Sequence, residues 1–125
     1  MDIKRRDEII FGSYDPEQYF GGGIRFIEHL NYSQLKTLID EGYADPEDRY
    51  NESPSIAEFI EFVEKQGVEN FVFEGVAYDR AELSVCIWSI IATKPFKTFE
   101  EGLAFSSFAC GADDFDEVTG YASWH

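Results

Sequence analysis

The chain has 125 residues, 44% hydrophobic and 17% aromatic, and its 25 acidic side chains outnumber 10 basic ones for a formal net charge of −15. That length fits one domain with one ordinary core, and 12 Phe with 7 Tyr set it apart from disordered acidic tails, which are poor in aromatics. The charge argues against direct binding of nucleic acid or an anionic membrane surface, since both need clustered Lys and Arg, and it steers the chain towards basic partners.

In chain order, residues 1–23 open on Lys4, Arg5 and Arg6, but Asp7 and Glu8 follow where a signal peptide would carry a long apolar stretch. No apolar run reaches the length of a membrane span, so the cytoplasm is the expected compartment. Ile9-Ile10-Phe11 reads as a short strand, Tyr14-Asp15-Pro16-Glu17 as a turn, and Ile24-Arg25-Phe26-Ile27 as a strand after the glycines 21–23. Ser33 is placed to cap a helix over 34–41 in which Leu35, Leu38 and Ile39 share one face, with Gly42 ending it. Residues 43–54 form a long polar connector. The clearest helix is 55–66: Ser55 and Glu58 make a capping box, Ile56, Phe59, Ile60 and Val63 give one apolar face, and Gly67 stops it.

Residues 70–78 read as a strand with Gly75 at a bulge. Residues 83–92 are apolar on both parities, as in a central strand covered on both faces, and the turn within 78–82 makes the pair an antiparallel hairpin. Thr98 and Glu101 form a second capping box, opening a helix to about Ala109 that Gly102 and two serines weaken. Asp113-Asp114-Phe115-Asp116-Glu117 reads as an acidic loop, and 121–124 as a last, edge strand. No repeat or linker divides residues 1–125. Helices and strands come in runs, which predicts a single two-layer α+β domain: an antiparallel or mixed sheet of about four or five strands with two or three helices packed on it.

The motifs that could carry chemistry each lack a required part. Glycines 21–23 are not followed by the Lys-Ser/Thr of a phosphate loop, so they read as a flexible turn, leaving Arg25 as a lone anion contact. Cys86 and Cys110 lie in apolar or small-residue surroundings and belong to no CxxC pair; they read as buried free thiols rather than nucleophiles served by His29 or His125. The acidic clusters lack calcium-loop spacing and read as solvated turns. No catalytic residue, metal or cofactor is assigned.

Charge is distributed unevenly. Residues 31–66 and 98–125 each carry a net −6, and the second segment contains no Lys or Arg. Glu58, Glu61 and Glu64 step by three along the polar side of helix 55–66, neighbours about 5–6 Å apart. Such an array suits a basic protein surface. The leading expectation is therefore a non-enzymatic interaction protein, of the class that holds inhibitors of nucleases or toxins and DNA mimics. Its candidate partner-binding residues are Asp45, Glu47, Asp48, Glu52, Glu58, Glu61, Glu64, Asp113, Asp114, Asp116 and Glu117. Tyr43, Tyr50, Tyr78, Tyr121 and Trp124, in or near loops, are candidate aromatic contacts. The alternative is a small enzyme or ligand-binding domain using carboxylates in an aromatic-lined cleft.

Overall fold

In the computed structural model, which describes residues 2–80 and 82–125, the chain begins with a helix. The Asp2 carboxylate accepts from the Lys4 and Arg5 amides, α1 runs over Ile3–Phe11, and Gly12 closes it in the left-handed region at φ 85°. This corrects the strand expected at 9–11. The inward face of α1 consists of Arg6, Asp7 and Ile10, so a charged pair occupies positions where helical periodicity is normally read from apolar residues. That pair is fully buried. Arg6 Nε donates to Asp7 Oδ1 at 3.0 Å, Arg6 Nη2 donates to the Tyr19 hydroxyl at 2.7 Å, and the Tyr19 hydroxyl donates to the other Asp7 oxygen. Each charge thereby meets an opposite charge and a hydroxyl, which buried ions require.

β1 spans Ile24–Leu30 and α2 spans Tyr32–Asp40. The cap of α2 is Asn31 rather than Ser33, completed as a box by Gln34. Gln34 also donates to the Ile9 carbonyl, and Arg5 grips the Glu41 carboxylate with two bonds, so α1 lies tied against α2. α3 spans Ile56–Gln66 with the Ser55/Glu58 box reciprocated as expected. β2 (Phe71–Tyr78) and β3 (Cys86–Ala92) form the expected antiparallel hairpin, with the pairing shifting register at Glu74/Gly75. Of the 78–82 turn, Ala81 lies outside the described residues. α4 spans Phe99–Phe108; Thr98 caps it by accepting from the Glu101 amide, while the Glu101 carboxylate reaches the Lys97 amide.

The five strands lie in the order β1-β2-β3-β5-β4, every neighbouring pair antiparallel. The domain is α+β as expected, with β3 internal. Two local readings change. The acidic segment 113–117 is not a loop throughout: β4 occupies Asp114–Asp116, and it takes the sheet edge, leaving β5 (Tyr121–Ser123) inside. An exposed edge strand is held by its backbone ladder, so its side chains need no β propensity and the pattern does not announce it.

The helices cover one face of the sheet. Phe71 and Phe73 of β2 meet Phe62 and Phe59 of α3 at ring distances of 5.4 and 5.8 Å, and Phe105 of α4 stacks on Phe71 at 6.3 Å. Nearer β1, the Arg25 guanidinium lies 3.6 Å from the Phe11 ring of α1. The other face carries Phe26, Val76 and Cys86, aligned across β1, β2 and β3.

Candidate functional site

The expected acidic face of α3 is present, but its carboxylates are engaged within the chain. Glu58 closes the capping box and pairs with Arg49 at 2.7 Å. The Ser55 backbone N–H, followed by the Ser55 hydroxyl and Arg49, holds its carboxyl below the usual range. Glu61 pairs with Lys65 at 3.1 Å, and Glu64 accepts from the Tyr32 hydroxyl at 2.6 Å, which in turn pushes that phenol up. A partner must compete with these bonds, so α3 is a weaker docking face than its spacing suggests.

The connector is pinned, not loose. The Ile56 and Ala57 amides donate to the carbonyls of Asp48 and Pro46, and Asp45 accepts from the Glu47 amide. Loss of hydration, then the neighbouring Asp45, pushes the Asp48 carboxyl up. Glu47 and Glu52 stand exposed.

At the C-terminal end, the His125 amide donates to Asp113 at 2.6 Å and the His125 ring meets Asp114. Asp116 accepts from the Val118 and Thr119 amides and so shapes the β4–β5 turn. Glu117 is exposed. The two acidic segments approach one another: Glu52 and Glu58 line one shallow depression together with Gly111 and Trp124, and Arg49 sits there paired to Glu58.

The exposed aromatics are not those expected. Tyr43 and Trp124 are buried, and Tyr50, Tyr78 and Tyr121 are half-buried. The chain displays phenylalanines instead, in two places. On the helix-free face of the sheet, rings run from Phe20 to Phe26 (6.0 Å), to Trp88 (6.2 Å), to Tyr50 (4.9 Å). On α4, Phe99 is 79% exposed and Leu103 56%, and the nearby turn adds Val118 at 80%. Phe99, Gly102, Leu103 and Ser106 form a groove with Glu117 of the β4–β5 turn. Nothing in their periodicity distinguishes an outward Phe from a core one.

Other expected features resolve simply. Gly22 and Gly23 turn in positive φ. Arg25 is committed to the Phe11 ring, not offered to an anion. Cys86 is half-buried, its thiol pushed up by lost hydration against a hydrogen bond to Tyr78; the same burial, then Cys86, pushes the Tyr78 phenol up to about 12. Cys110 is exposed, correcting the buried reading: it follows the last turn of α4 rather than lying beneath it. Among the described residues, no group of three or more His, Cys, Asp or Glu side chains is placed to hold a metal ion, and no helix is long and apolar enough to cross a membrane. A cleft lined by Phe71 and Phe96 also carries Glu69, Glu101, Lys94 and Lys97. Neither carboxylate there is buried; the fully buried Asp7 is neutralised by Arg6 and lines none of these depressions. Comparisons with protein-family models, curated proteins and solved structures found no match.

Proposed function

We propose that this chain is a non-enzymatic interaction protein that binds a basic protein surface through its exposed carboxylates. The reading is carried by one observation: the connector and the Lys- and Arg-free segment 98–125 share a surface depression at Glu52, Glu58, Gly111 and Trp124. Carboxylates of the connector and of α3 thus stand beside a segment that carries a net −6 and no Lys or Arg, an arrangement that speeds encounter with a cationic partner and selects against anionic ones. Of the candidate carboxylates, Glu47, Glu52 and Glu117 carry the partner contacts. Glu58, Glu61, Glu64, Asp113, Asp114 and Asp116 supply field while held in place by their own bonds.

The test is capture from a native lysate on immobilised chain, washed at rising salt and read by mass spectrometry. Glu52→Lys with Glu117→Lys should abolish a salt-labile basic partner. Glu8→Lys, on α1 at the β1 side of the sheet, should retain it. Equal capture by the double variant, with unchanged salt dependence, would discard the proposal.

A further inference from the structure

α4 is apolar on two sides. Phe105 is buried and Phe108 stacks on Phe62 of α3 at 4.3 Å, yet Phe99 and Leu103 point outward. A helix that is hydrophobic all round is ordinarily covered all round. The outward residues Phe99, Gly102, Leu103 and Ser106 follow i, i+3, i+4, i+7 and so form one strip. Phe99 and Leu103 form one i, i+4 row and Gly102 and Ser106 the row beside it, leaving a slot over the small pair into which a bulky apolar residue fits. The β4–β5 turn forms the far wall with Glu117, and exposed Val118 and partly exposed Phe115 extend the apolar surface.

We propose that this groove anchors an amphipathic, lysine- or arginine-rich segment of the basic partner, its apolar side on Phe99 and Leu103 and its cations on Glu100 and Glu117. The inference rests on the interaction-protein reading above and names the kind of segment recognised. Charge decides the occupant. Residues 98–125 hold six carboxylates and no Lys or Arg, so every charged side chain contributed by α4 and the β4–β5 hairpin is negative. A second copy docked through the same groove would set that acidic rim against itself, because a twofold contact presents the same patch from both sides. A cationic amphipathic segment instead satisfies both the apolar strip and its rim.

The probe is a synthetic amphipathic peptide of leucine and lysine, compared with an isomer of identical composition whose leucines are spread around the helix. Binding is read by fluorescence anisotropy at low salt and mapped by amide NMR shifts. The amphipathic peptide should bind more tightly, with shifts centred on residues 99–106 and 115–118. Phe99→Ser with Leu103→Ser should weaken it by about tenfold or more, since each fully buried apolar side chain accounts for at least that factor, while leaving the isomer's affinity unchanged. Both positions are exposed, and an unchanged melting temperature confirms that the variant folds. If the two peptides bind alike and the double variant alters neither, the groove is not an anchor, although charge-driven capture stands. If neither peptide binds, both readings fall. Shifts centred on Phe20, Phe26 and Trp88 would move the anchor to the sheet face and overturn the assignment. So would a dimer, seen by sedimentation, that the double variant dissociates.

Discussion

Gly75 and Gly102 show how one methyl group takes opposite signs in this chain. At Gly75, where β2 slips register against β3, a Cβ would overlap the Cys86 carbonyl oxygen and crowd the Ile87 Cα. Both are backbone atoms of the neighbouring strand, so the sheet itself must move. Gly75→Ala should therefore destabilise by about 3 kcal/mol, the upper range for overpacking. At Gly102, inside α4, the atom nearest to an added methyl would be Phe96 Cδ2 at 3.9 Å, ordinary contact. Gly102→Ala should stabilise by about 1 kcal/mol, because alanine loses less backbone entropy in a helix interior. Urea unfolding of the two variants checks both. A neutral Gly75→Ala would mean that the strands are not this close. The glycine at a bulge is legible in sequence from its place within an apolar strand. Which atom it makes room for is not, because that depends on the register of another strand.

Among the elements, α1 depends most on a single cluster. Removing Asp7 leaves Arg6 buried without its counter-charge, which costs about 3–5 kcal/mol when a buried pair is broken. Tyr19→Phe removes the hydroxyl that donates to Asp7 and accepts from Arg6, at about 1–3 kcal/mol for unsatisfied buried partners. Denaturant unfolding of Asp7→Ala and Tyr19→Phe should rank them in that order. If Asp7→Ala proves milder than Tyr19→Phe, the pair is not what seats the helix. The same cluster explains why α1 is illegible in sequence. Its inward stripe is ionic, and ionic residues count as surface in any hydrophobic pattern. α3 is the opposite case, with a capping box, four apolar residues in phase and a terminal glycine all agreeing. β4 is hidden for a third reason: a three-residue edge strand takes its pairing from β5 and leaves all its side chains exposed. The candidate site divides the same way. Its charges are countable in the sequence, but the bonds that occupy Glu58, Glu61 and Glu64, and the outward turn of Phe99 and Leu103, follow from packing alone.

For the whole molecule, the net charge of −15 sets a pH dependence of stability that is not monotonic. Two carboxyls are pushed up in the native state: Glu74 by lost hydration and then by Glu28, and Asp48 by lost hydration and then by Asp45. The native chain binds these protons more tightly than the unfolded one, so these groups weaken the fold at neutral pH and the penalty lifts as pH falls through their native values. Three carboxyls are held down: Glu41 by Arg5, Glu58 by Ser55, and Glu82 by its own backbone N–H and then Arg80. Their contribution is complete above the unfolded glutamate value of about 4.3 and disappears as pH falls through their lower native values. The melting temperature should therefore rise on acidification from neutral pH, pass a maximum, and then fall as the lowered carboxyls take up protons. General self-repulsion among the excess carboxylates also relaxes on acidification, and a paired comparison separates the two causes. Glu74→Gln and Glu8→Gln remove the same charge, but only the first removes a poorly hydrated carboxylate facing a like charge. Glu74→Gln should raise the melting temperature at neutral pH more than Glu8→Gln and flatten the rise towards acid, and the difference should persist in high salt, which screens the general repulsion far more than a partly buried contact. Identical profiles for the two variants would show that the pH optimum belongs to net charge alone.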